Sequence, residues 1–160
     1  MLALNNTTKG EDLMSSEQNK TVVTRFFEEM NNLRKLALAS ELFTEDAVYE
    51  GPDSIPPSTA TGPAGIAGVV KIYQDGLSDA HWTVLDVVAG EGDSVTVRWI
   101  GSGTHDGLLG EIPPTGRQVR VKAITFLRLR NGKISEVHDV WDALGLMQQL
   151  GLAPRPGQTS

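Results

Sequence analysis

Val119-Arg-Val-Lys-Ala-Ile-Thr-Phe-Leu-Arg-Leu-Arg-Asn-Gly-Lys-Ile-Ser-Glu-Val-His-Asp-Val-Trp141 decides the fold class. It predicts a long strand over Val119–Leu129 and a returning strand over Ile134–Trp141. Between them stands Asn131-Gly132, the strongest short hairpin signal a sequence offers. Upstream the same period continues. Trp82–Ala89 reads as a strand, Glu91-Gly92-Asp93 as a turn, and Val95, Val97 and Trp99 alternate with Thr96, Arg98 and Ile100. Downstream, Asp142 can cap a short helix whose Leu146, Met147 and Leu150 face inward and which Gly151 stops.

The first half of the chain keeps a helical period. Ser15 with Gln18 three later is a capping-box pattern. Val22, Phe26 and Met30 follow at i, i+4, i+8, beside Val23 and Phe27, on a helix ending near Asn31-Asn32. Leu36, Ala39, Leu42 and Phe43 share a face of a second helix, which Glu45-Asp46 breaks. Ala47–Glu50 is a short strand. Residues 51–63 hold four prolines and read as a loop long enough to be a lid. Pro63 suits the first turn of a third helix carrying Ile66, Val69, Val70, Tyr73 and Leu77. Helices first and antiparallel hairpins after argue an α+β fold. The expected form is a curved antiparallel or mixed sheet, wrapped by the N-terminal helices into a cone-shaped barrel with an internal pocket. Residues 1–14 are expected to be a disordered lead, 15–151 a single domain and 152–160 a flexible tail; Met14 is a second candidate start.

Composition narrows the function. With 160 residues the chain can bury one sizeable core. Fourteen Lys+Arg against twenty Asp+Glu leave a net charge of −6, a poor basis for binding nucleic acid. There is no cysteine, hence no thiol nucleophile and no sulfur-ligated zinc. No stretch approaches the roughly 20 apolar residues of a membrane span. The opening residues lack the basic and apolar runs of a signal peptide, so a cytoplasmic protein without a membrane partner is expected. Dinucleotide, Walker, zincin and serine-hydrolase signatures are missing. A cofactor-free proton-transfer site or a binding pocket remains.

Three places carry candidate chemistry. On the last strand, alternation puts Val137, Asp139 and Trp141 on one face and Glu136, His138 and Val140 on the other. A carboxylate between Val and Trp would be partly desolvated, which raises its pKa toward that of a useful acid or base; the alternative is a solvated edge. Gly101–Gly116 is a glycine-rich loop bearing His105, which shares parity with Trp99; the alternative is a structural histidine. Tyr49 or Glu50 points inward before the proline-rich loop, and a phenol there can donate to an oxyanion; the alternative is core packing. His81, His105 and His138 are spaced by 24 and 33 residues and match no compact metal motif, so no metal is expected.

Together these residues resemble a known family. The glycine-rich pattern from Gly103 to Gly116, the Asn131-Gly-Lys-Ile134 turn and the Asp139–Gly151 ending (D-x-W-D-x-x-G-L-x-Q-Q-L-G) resemble the SnoaL-like polyketide cyclases, also called ester cyclases. Phe43-Thr-Glu-Asp46 and Gly62-Pro63-Ala-Gly65 fit as well, and the likeness runs over about residues 17–151. It implies the cone-shaped fold of nuclear transport factor two, and cofactor-free ring closure. It implies that Asp139 is the general acid/base, and that His105 and Tyr49 stand by the substrate. Two positions depart from the pattern. Thr125 stands where aldol cyclases carry a second histidine, and Tyr49-Glu50 where an Asp-His pair is common.

The expected function is therefore an intramolecular cyclase acting on a polyketide-like or aromatic small molecule. Asp139, His105 and Tyr49 would be catalytic. Phe26, Trp99, Val121, Ala123, Thr125, Val137 and Trp141 would form the substrate surface. Alternatives in the same pocket are an epoxide-opening cyclase, an isomerase, a dehydratase, or a small-molecule binder without catalysis. An apolar outer sheet face leads to the expectation of a homodimer or homotetramer.

Overall fold

The computed structural model describes residues 8–159, with side chains from Ser15 onward. Helix α1 (Thr8–Arg25) runs directly into a π-helical segment, Phe26–Asn32. A 3₁₀ turn (Leu36–Leu38) and the short α2 (Ala39–Leu42) lead into β1 (Phe43–Glu50) and β2 (Thr59–Thr61). Then come α3 (Gly62–Gly76), β3 (His81–Ala89), β4 (Ser94–Thr104), β5 (Gln118–Arg130), β6 (Lys133–Trp141) and α4 (Ala143–Gln149).

The six strands form one sheet in the order β2-β1-β6-β5-β4-β3. All neighbours are antiparallel except β1 and β6, which run parallel, so the sheet is mixed. The β5–β6 hairpin is built as expected: Asn131 and Gly132 both take positive φ, 53° and 77°, as a tight hairpin turn requires. Register slips at Val84/Asp86, Arg128/Leu129 and Phe43/Val48 mark irregularities that bend strands. The sheet curves around the helices, and the α+β expectation holds.

Four local readings are corrected. The first helix is drawn back through residues 8–14, ahead of Ser15; nothing in that stretch forbids a helix, since it lacks proline. Of the expected disordered lead, residues 1–7 lie outside the described residues. The end of that helix is π-helical, with Phe26, Phe27, Met30 and Asn31 all buried. A wider turn, closed by bonds such as Leu33 N to Glu28 O (3.0 Å), lets pairs four residues apart face the core together. The strand expected from Ala47 begins at Phe43, whose buried ring pairs β1 with Ile134 of β6. The proline-rich segment is not one open loop. Gly51 N donates to Ser58 O (2.8 Å), Ile55 is buried in the core, and Thr59–Thr61 adds an edge strand to β1. At the far end Asp142 caps α4 by accepting from Gly145 N (2.8 Å), and Gly151 stops it at φ 78°.

Two apolar clusters fill the interior. The larger packs the π-helical segment and α3 on the inner sheet face, around Phe27, Phe43, Val97 and Leu127. The smaller gathers Ile55, Leu77, Leu109, Val119, Leu146 and Leu150 where α4 covers the end of the sheet. Tyr73, Ala80 and Trp141 border both.

Candidate active site

A hollow of about 80 Å³ opens between the inner sheet face, the π-helical segment, α3 and α4. That is room for several waters or for part of a flat molecule. Its wall is mainly apolar: Phe26, Phe27, Val69, Trp82 and Trp99 are among the residues that form it. Asp139 is its carboxylate. Period two on β6 sends Val137, Asp139 and Trp141 inward, as expected, while Val140 stands exposed on the outer face and His138 lies near Glu136 and Glu50. Asp139 sits deep in the protein yet keeps some accessible surface, because that surface faces the hollow.

The carboxylate is held by a directed chain. Trp99 Nε1 donates to Thr125 Oγ1 (2.8 Å), and Thr125 Oγ1 donates to Asp139 Oδ1 (2.5 Å). Thr125 can do this because it lies directly opposite Asp139 in the β5–β6 register. Tyr49, on β1 beside Val137, turns its hydroxyl to Asp139 as a second donor. Burial pushes the Asp139 carboxyl up, against the opposing effect of the Thr125 and Tyr49 hydrogen bonds and of His138, to about 6. Burial, followed by the nearby Asp139 charge, holds the Tyr49 phenol far above its usual range, and the same two causes raise Tyr73. Gly51 leaves room for Tyr49: a Cβ there would stand 2.2 Å from the Tyr49 hydroxyl oxygen.

The expected site residues divide. Asp139, Tyr49, Phe26, Trp99, Val121 and Trp141 line the hollow. Ala123 and Val137 are buried in the core beneath it, and Thr125 is wholly buried behind Asp139 rather than at the substrate surface. His105 is not brought to the hollow. The strand ends at Thr104, and His105 instead closes the loop that follows, exchanging backbone bonds with Arg117 (2.8 Å) and Gly116 (2.7 Å) and bridging Leu77. Its Nδ1 accepts from Thr115 N (3.3 Å) and meets Thr115 Oγ1 (3.0 Å), which leaves the ring proton on Nε2. Among the described residues no group of three His, Asp or Glu is placed to hold a metal ion, and no helix is long and apolar enough to cross a membrane.

The sequence matches the family described as SnoaL-like polyketide cyclase over residues 21–150. The chain belongs to that family. IdmH of Streptomyces antibioticus, provisionally named a polyketide cyclase, is 31% identical; the match covers 84% of this chain and 99% of that one at a TM-score of 0.70. A provisionally named SnoaL-like polyketide cyclase from Jannaschia sp. CCS1 superposes at a TM-score of 0.76, with 23% identity over 87% of this chain and 95% of the other. A Catenulispora acidiphila protein with a ketosteroid isomerase-like fold, crystallised with trimethylamine, superposes at 0.67, with 23% identity over 82% and 93% of the two chains. The last two show the shared fold. No curated protein matches the chain.

Within this SnoaL-like chain the two motifs behind the resemblance do different work. The Asp139–Gly151 ending supplies the site carboxylate, the Asp142 cap and the helix stop. The Gly103–Gly116 stretch is built for close packing on the end of α3: a Cβ on Gly107 would stand 2.0 Å from the Asp75 carbonyl oxygen. Three wall residues escaped the sequence reading. Tyr73 looked like one more member of an apolar helix stripe, His81 was weighed only as a metal ligand, and Asn31 looked like a helix end.

Proposed function

We propose that this protein is a cofactor-free intramolecular cyclase that closes a ring in a neutral polyketide-like or aromatic molecule. One observation carries this reading: an ionisable carboxyl, Asp139, opens onto an apolar hollow and is poised near pH 6 by burial. At neutral pH most of it is carboxylate and can accept a proton. It would take a proton from a carbon flanked by carbonyls. The resulting enolate carbon attacks a carbonyl carbon of the same molecule; the new C–C bond forms as the carbonyl π pair moves to oxygen. Asp139 then returns its proton to that alkoxide. Tyr49 and Tyr73, both held neutral, supply the hydrogen bonds that a developing oxyanion needs. The aromatic wall folds the chain so that the two reacting carbons meet.

The test is Asp139→Asn, assayed on aryl β-dicarbonyl compounds able to close a six-membered ring. A positioned acid/base is worth roughly 10²–10⁴-fold, so kcat should fall by that factor while KM stays within a few-fold. An unimpaired kcat would remove Asp139 from the chemistry. Product mass separates the alternatives, because ring closure by aldol addition conserves mass and dehydration loses one water.

A further inference from the structure

Two asparagines end the π-helical segment, and they are used differently. Asn32 is fully engaged by the fold: its Nδ2 donates to Trp82 O (2.9 Å) and its Oδ1 accepts from Trp82 N (2.8 Å), tying the helix to β3. Asn31 is 2% exposed, its side chain lines the hollow, and its Oδ1 has no hydrogen-bond partner in the protein. Its backbone oxygen is satisfied by Gln74 Nε2 (2.9 Å), so only the carboxamide is left over. A buried carbonyl without a donor destabilises a fold, and such groups are rare. A leucine of similar volume would sit at this position without that penalty.

We infer that Asn31 is a specificity residue: its side-chain carbonyl accepts a hydrogen bond from a hydroxyl or N–H on an otherwise apolar, uncharged substrate. The wall chemistry agrees. No lysine or arginine lines the hollow among the described residues, and Asp139 is already an anion there, so an anionic ligand would find no counter-charge. The ligand class is thus a neutral ring system with one hydrogen-bond donor, of which a phenol is the simplest case. This inference rests on the hollow being the substrate pocket; it does not depend on Asp139 performing catalysis.

The test is equilibrium binding, read without turnover. Titration calorimetry compares 2-naphthol with 2-methoxynaphthalene, which keeps the ring and the oxygen but loses the donor. The wild-type chain should bind 2-naphthol about five- to tenfold more tightly, the worth of one hydrogen bond. Asn31→Leu should abolish that preference, fold at least as stably as wild type and leave 2-methoxynaphthalene binding within about twofold. Asp139→Asn should keep the preference. A wild-type chain indifferent to the hydroxyl overturns the inference before any variant is made, and so does binding of neither probe. A preference that survives Asn31→Leu but is lost in Asp139→Asn overturns it too, by assigning the donor to the carboxylate. A preference lost in Asn31→Leu, together with full turnover in Asp139→Asn, would sustain Asn31 and remove the catalytic proposal instead.

Discussion

Asp139 titrates against the fold. Its pKa rises from the ordinary 3.8 to about 6 on folding, so the folded chain holds the proton more tightly than the unfolded chain. The stability this contributes is fully present below the ordinary carboxylate range and is lost as pH climbs through about 6. The groups facing it are Thr125 and Tyr49 on neighbouring strands, Tyr73 from α3 and His138 across the sheet. Both phenols are held above their usual range and stay neutral throughout this window. Asp139→Asn removes the penalised charge. The variant should therefore be more stable than wild type at pH 8, by at most about 3 kcal/mol and less in proportion to the surface Asp139 keeps in the hollow. The difference should vanish near pH 4, and urea unfolding at the two pH values measures it. A difference independent of pH would mean that the carboxyl lies in water. At this scale the sequence was legible where strand parity rules: two-residue alternation placed Asp139 inward with Val137 and Trp141. Parity failed at His105 because the strand stops one residue earlier. Asn31 was illegible because a polar residue at a helix end ordinarily means a cap.

Helices and loops show why the glycines of this chain are not equivalent. Gly107 meets the Asp75 backbone oxygen at the end of α3, where a Cβ would come within 2.0 Å and neither partner is a flexible side chain. Gly68 lies exposed inside α3, with nothing within 4 Å of its would-be Cβ. The same substitution should therefore act in opposite directions. Gly107→Ala forces two backbones apart and should cost about 1–3 kcal/mol. Gly68→Ala replaces the weaker helix former and should stabilise by roughly 0.5–1 kcal/mol. Thermal melts of both variants, at about 2–4 °C per kcal/mol for a chain of this size, would resolve the two signs. Gly107→Ala melting with wild type would show that the loop is not packed on α3. The glycine-rich segment was visible from sequence as a unit, but its purpose was not, because the partner that demands glycine is 32 residues away. The π-helical segment is the converse case. The pairs Val22-Val23, Phe26-Phe27 and Met30-Asn31 repeat every four residues, a spacing that a plain α-helix does not keep on one face. That drift was the available signal of a wider turn.

Across the whole molecule, the hollow lies between two apolar clusters that could otherwise have met. Tyr73 and Trp141, edge to face with ring centroids 6.2 Å apart, join the clusters at its border. Empty space in a close-packed interior forfeits dispersion contacts and destabilises in proportion to its size. A fold that keeps such a space gains from whatever neutral molecule fills it. At about one hundred times its dissociation constant, 2-naphthol should stabilise the native state by about 2.7 kcal/mol, a rise of roughly 5–11 °C in Tm. Val121 lines the hollow from β5, opposite Gly101 of β4, where a larger side chain can enter the space. Val121→Phe should fill it from within. The variant should melt no lower than about 1–3 kcal/mol of overpacking strain allows, and it should lose most of the ligand-induced rise. A Val121→Phe chain that 2-naphthol stabilises as strongly as it does wild type would mean that the ligand binds on the outer surface, and that this space serves no ligand at all.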